Sequence, residues 1–107
     1  MRSIAVSVAL VMLAAAAAAD DLPPERRNEL RHLLLHDCGS CHGLTMKGGL
    51  GAPLLPESLS EKTDESLIYV ILNGVPGTPM PPWRGELDRE DAAWLVRALK
   101  SGVAHAH

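Results

Sequence analysis

Asp37-Cys38-Gly39-Ser40-Cys41-His42 is the most informative stretch of this 107-residue chain. Two thiols three positions apart with an imidazole directly behind them have the spacing that fastens a c-type haem. Cys38 and Cys41 would add across the porphyrin vinyl groups as thioethers, and His42 would then lie close enough to bind the iron through a ring nitrogen. Each competing explanation of such a cysteine pair leaves something over. A thioredoxin-like redox motif follows a strand in a βαβ frame, whereas a helical pattern precedes this one and no alternating strands follow it. Zinc needs a further ligand cluster, and beyond His42 the only histidines are His105 and His107. A lone disulfide gives His42 no part.

An iron held by histidine on one face has a second face to fill. Met1 and Met12 fall in the leader discussed below, and Met46 lies four residues beyond His42, too near to reach the opposite face. Met80 remains, in Gly77-Thr78-Pro79-Met80-Pro81-Pro82-Trp83. The prolines fix φ at their own positions and restrict the residues before them, so the methionine is presented from a stiff loop. A thioether opposite histidine raises the reduction potential. The rival donors His32, His36, His105 and His107 read as surface residues. With protein ligands on both faces, the expected chemistry is outer-sphere electron transfer through an exposed haem edge, and the chain is not expected to be an enzyme. The alternative, in which Met80 leaves the iron, is a peroxidase-like or ligand-binding haem protein.

The flanking sequence reads as helices joined by glycine- and proline-rich loops. Leu30, Leu33 and Leu34 recur at helical spacing within Glu25 to His36, behind Pro23-Pro24, so one helix runs into the cysteine motif. Arg26, Arg27 and Arg31 are assigned to its solvated face. Gly43 to Pro56 is a loop whose glycines let backbone pass close to a flat ligand. Thr63 and Asp64 offer caps to a short, largely buried helix over Ser66 to Leu72, with Asn73-Gly74 as its stop; Tyr69 is read as a core aromatic, the alternative being a hydroxyl near the haem rim. Asp88 caps a final amphipathic helix to Ser101, which crosses the first, with Gly102 as its stop and a frayed tail over Val103 to His107. Leu44, Met46 and the methionine loop are expected to ring the exposed haem edge.

At the N-terminus, Met1-Arg2, an apolar run from Ile4 to Leu13 and an alanine tract to Ala19 read as a secretory signal peptide over residues 1–19. The apolar run is too short for a spanning helix, which needs roughly 20 residues. A single cytochrome-like domain over residues 20–107, exported to the periplasm with no membrane span after cleavage, is the expectation. Such a domain is small for an unaided apolar core, and the chain has no phenylalanine; a buried macrocycle would relieve that deficit. Ten Lys and Arg face thirteen Asp and Glu, and loss of Arg2 with the leader makes the remainder more acidic still. Binding to nucleic acid therefore has no electrostatic support, and a redox partner with a basic docking face is expected.

From residue 22 to 102 the chain resembles the class I cytochrome c family: a helix entering the cysteine motif, a loop with Gly51-Ala52-Pro53-Leu54, a middle helix, a methionine loop and a C-terminal helix. The resemblance implies the family's all-α fold with crossing N- and C-terminal helices. It also implies one covalently bound haem c attached at Cys38 and Cys41 and ligated axially by His42 and Met80. More narrowly, Asp37 to Leu44, Gly48-Gly49-Leu50-Gly51, Gly77 to Trp83 and Ala92-Ala93-Trp94-Leu95-Val96 resemble the small periplasmic cytochromes encoded with the cytochrome cd nitrite reductases of denitrifying bacteria. That similarity implies electron delivery to the reductase or to maturation of its d-type haem; the alternative is a general periplasmic carrier serving a terminal oxidase or another reductase. In one respect the chain departs from the family. There, proline directly follows glycine in the loop and its carbonyl accepts the proximal histidine's N–H; here Ala52 intervenes, so either the Ala52 or the Pro53 carbonyl could serve His42.

Overall fold

The computed structural model describes residues 3–5 and 22–102. The expected leader, apart from residues 3–5, and the expected frayed tail lie outside the described residues. Among the described residues there is no strand, and no helix is long and apolar enough to cross a membrane.

Helix α1 (Pro24–Leu33) opens with proline in its first turn and Glu25 beside its positive end. It does not stop where the apolar spacing fades. The axis continues through one π-helical turn, Leu34–Cys38, into α2 (Gly39–His42), so both cysteines and the histidine ride on the end of a continuous helical rod. The widened turn had no sequence signal; such turns commonly occur at functional sites. A single turn, α3 (Pro56–Leu59), interrupts the loop that follows.

Helix α4 (Asp64–Asn73) is capped by Thr63, whose hydroxyl accepts the Ser66 N–H at 3.1 Å. Helix α5 (Arg89–Ser101) starts with a reciprocal capping box between Asp88 and Asp91 and ends at Gly102, which has φ +79°. Leu30 and Leu34 from the first rod, Ile68 and Leu72 from α4, and Ala92, Leu95, Val96 and Leu99 from α5 form the centre of the core.

Arg26 corrects the reading of α1 as a helix with a wholly solvated basic face. Its Nε donates to Asp91 Oδ1 at 3.0 Å and its Nη2 to Asp91 Oδ2 at 2.7 Å, and Nη2 also reaches the Glu86 carbonyl at 3.2 Å. Arg31, one face further along, lies over the Trp94 ring at 5.4 Å. These contacts pin α1 across α5, as the expected crossing of first and last helices requires. Asp91 is buried, and the Arg26 guanidinium holds its carboxyl below the usual carboxylate range.

Two further expectations fail on burial. Helix α4 is not largely buried: only Ile68 and Leu72 are, defining its inward face, and Tyr69 lies off that face and is exposed rather than a core aromatic. Met46 is fully buried within the core and so takes no part in an exposed haem edge. Leu44 is exposed, as expected.

Candidate haem site

The last carbonyls of a helix have no partner within it, and the loop after His42 is built on two of them. Gly51 N–H donates to the Cys41 carbonyl at 2.8 Å and Gly48 N–H to the His42 carbonyl at 2.9 Å. These two bonds fold the loop back under the imidazole. At Gly51 a Cβ would stand 2.7 Å from both Cε1 and Nδ1 of His42, so only glycine lets the backbone approach the ring this closely.

The next residue settles which carbonyl serves His42: Nδ1 lies 2.7 Å from the Ala52 oxygen. A carbonyl can only accept, so Nδ1 carries the proton and Nε2 keeps its lone pair for a metal. The loop is anchored at its far side by Met46, whose N–H donates to the Gly43 carbonyl and whose carbonyl accepts from Leu54 N–H, both at 2.9 Å. Met46 holds φ +59°, a costly conformation for a residue with a side chain, maintained by full burial of that side chain.

The methionine loop repeats the same device at the end of α4. Gly74, Trp83 and Arg84 donate their N–H groups to the carbonyls of Val70, Ile71 and Leu72 at 2.8, 3.0 and 3.2 Å. Between those anchors, Val75 N–H donates to the Met80 carbonyl at 3.2 Å. The Thr78 hydroxyl donates to the Val75 carbonyl at 2.7 Å and accepts the Met80 N–H at 3.3 Å. Gly74 has φ +67°, and a Cβ there would come within 2.7 Å of the Met80 oxygen and of the Pro81 and Pro82 backbone. The proline cage read from the sequence is thus supplemented by a hydroxyl and a glycine contact that hold the Met80 backbone from both sides.

Cys38 and Cys41 are unpaired and half-buried, one helical turn apart, which removes the disulfide reading. Before attachment, burial, with Asp37 beside it, pushes the Cys38 thiol up to about 11, so the unmodified side chain is a neutral thiol at physiological pH. Among the described residues no group of three or more His, Cys, Asp and Glu is placed to hold a metal ion. The donor set instead fits a haem c: two thiols on one turn and an imidazole with its free nitrogen fixed by tautomer. His32 and His36 are exposed, as read from the sequence. His105 and His107 lie outside the described residues.

An all-helical fold that carries two thiols and an imidazole at the end of its first helical rod defines a c-type cytochrome, and the chain belongs to that family. The family model described as "Cytochrome C oxidase, cbb3-type, subunit III" matches residues 25–97. The chain is 58% identical over 85 residues to cytochrome c55X of Pseudomonas aeruginosa, covering 78% of this chain and 71% of the relative. Its fold matches the solved structure of a "c-type cytochrome NirC" with TM-score 0.76 at 54% identity, over 78% of this chain and 98% of that one. It is also 39% identical over 99 residues to a dihydro-heme d1 dehydrogenase of Pseudomonas aeruginosa, covering 92% of this chain but 19% of that larger protein. Cys38 and Cys41 fit a single covalently attached haem c, and the chain is an electron carrier rather than an enzyme; it therefore works with redox partners.

Proposed function

We propose that this chain is an exported, periplasmic monohaem cytochrome whose haem iron would be held by His42 and Met80 and which exchanges electrons in the maturation of d-type haem for cytochrome cd nitrite reductase. The haem supplies a one-electron Fe(III)/Fe(II) couple. The protein fixes both ligands, so little rearrangement accompanies each electron. His42 is oriented by the Ala52 carbonyl and Gly51; Met80 is restrained by Thr78, Val75 and Gly74. The residue most responsible for a carrier reading is Met80, because a loop tied on both sides of the ligand resists opening the iron to substrate.

The d-type haem assignment is supported by the dehydrogenase relative. Dehydrogenation releases electrons one partner must accept, and a domain similar to this chain forms part of that larger protein. A separate domain of the same kind is suited to carry such electrons onward. Direct delivery to the nitrite reductase is the neighbouring assignment, and both imply a partner face complementary to an acidic carrier.

The discriminating experiment mixes the oxidised holoprotein with a dihydro-haem d1 dehydrogenase and its substrate, and the reduced holoprotein with cytochrome cd nitrite reductase. Rapid reduction in the first mixture supports the maturation role. Oxidation only in the second assigns it to nitrite reduction, and exchange in neither removes both.

A further inference from the structure

We propose that His32 and His36 form a surface chelate for a divalent first-row transition ion, with copper(II) held most tightly. The two residues are four apart along the first helical rod, spanning the junction of α1 and the π-helical turn, so their side chains share one face. Both are exposed, and their ring centroids lie 4.4 Å apart with the planes tilted by 43°.

That spacing suits a shared ion. With metal–nitrogen bonds of about 2.0 Å, and each nitrogen roughly 1.1 Å from its ring centre, two imidazoles in neighbouring coordination positions place their centroids roughly 4.5–5 Å apart. The observed separation of 4.4 Å lies at the near edge of that range, so closing the chelate requires side-chain rotation that turns one nitrogen of each ring toward a common point, with little change in ring separation. Among the described residues neither ring has a hydrogen-bond partner, so no existing bond must break for the lone pairs to turn to a metal. Asp37 lines the same surface hollow as His32 and supplies negative charge there; Glu29 also lines it, with its carboxylate paired to Arg26 at 2.7 Å.

The donor count fixes the kind of ion. No third His, Cys, Asp or Glu among the described residues completes the set, so water fills the remaining positions and the ion stays exchangeable. Imidazole nitrogen favours copper, zinc and nickel over magnesium and calcium, and the affinity order places copper(II) first. Because the chelate ties the last turn of α1 to the π-helical turn ahead of Cys38, binding would stabilise the folded rod that carries the haem.

The test titrates copper(II) into the ferric holoprotein, in competition with a chelator of known affinity, and follows the copper by electron paramagnetic resonance. One copper per chain with nitrogen ligation is expected, weakened at least about tenfold in His32→Ala and in His36→Ala and retained in the double variant His105→Ala/His107→Ala. Magnesium at large excess should not compete. The thermal midpoint of the unaltered holoprotein should rise with zinc(II) while that of His32→Ala does not; the haem spectrum of each variant verifies folding. Absence of stoichiometric binding, binding unweakened in His32→Ala and in His36→Ala, or binding abolished by the tail double variant would overturn the proposal.

Discussion

Gly51 and Thr78 carry the most specific consequences at the scale of single residues. Replacing Gly51 with alanine places a methyl group against the His42 ring, 2.7 Å from two of its atoms. Either the ring or the loop must shift. Overpacking of this kind costs about 1–3 kcal/mol, and a lower denaturant midpoint with an altered haem spectrum is expected for Gly51→Ala. An unchanged spectrum would place the loop elsewhere. Thr78→Val removes the acceptor of the Met80 N–H and the donor to the Val75 carbonyl, worth about 1 kcal/mol each. The reduced Thr78→Val holoprotein should bind carbon monoxide several-fold faster than the unaltered protein, whereas Thr78→Ser, which keeps the hydroxyl, should not. Equal rates for all three would show that the prolines alone hold Met80. Neither role was legible beforehand. The motif reveals which side chains bind iron, and the family resemblance narrowed the acceptor for His42 to the Ala52 or Pro53 carbonyl, but the close approach of Gly51 to the ring and the Thr78 bonds to the Met80 backbone have no sequence signature. Met46 was hidden for a related reason: its burial arises from a loop folded back by glycine hydrogen bonds, where no hydrophobic period exists to be read.

Between elements, the decisive contact is the crossing of α1 and α5 through Arg26 and Asp91. The carboxylate is buried and doubly held, so Asp91→Asn leaves the arginine inadequately paired and weakens the cap of α5. A loss of about 3 kcal/mol is expected, near the lower end for breaking a buried pair because Arg26 itself is partly exposed. The pH dependence has a definite sign. Asp91 binds its proton less readily in the folded chain, so its contribution is complete well above the ordinary carboxylate value of about 4 and is lost as the pH falls through the lowered folded value. The gap between the unaltered and Asp91→Asn proteins in denaturant titrations should be constant from pH 7 to about pH 5 and narrow as the pH falls toward 3; a gap that stays constant to pH 3 would contradict the assignment. The helices themselves were readable from capping residues, apolar spacing and terminating glycines. Their contact was not, because 65 positions separate Arg26 from Asp91 and a charge on a helix looks solvated until its partner is known.

For the whole molecule, the two ligand loops share one construction: each is folded back by N–H groups that satisfy orphan carbonyls at a helix end, α2 for His42 and α4 for Met80. The helices position the loops, and the loops position the ligands. The excess of acidic over basic residues adds a kinetic expectation: electron exchange with a basic partner should slow markedly as ionic strength rises, and a rate indifferent to salt would exclude electrostatic steering. Fold class and cofactor were visible in the sequence because covalent attachment demands fixed residue types at fixed spacing. The exposure of Tyr69 and Val70 was less visible, because α4 is apolar on nearly every side and composition cannot tell its inward face from its outward one.

The central claim is that Met80 closes the iron opposite His42. The near-infrared absorption of the ferric holoprotein at neutral pH tests it most directly, because a weak sulfur-to-iron charge-transfer band reports a thioether ligand. The band should be present in the unaltered protein and absent from Met80→Ala. Its absence from the unaltered protein, or its persistence in Met80→Ala, would contradict the account.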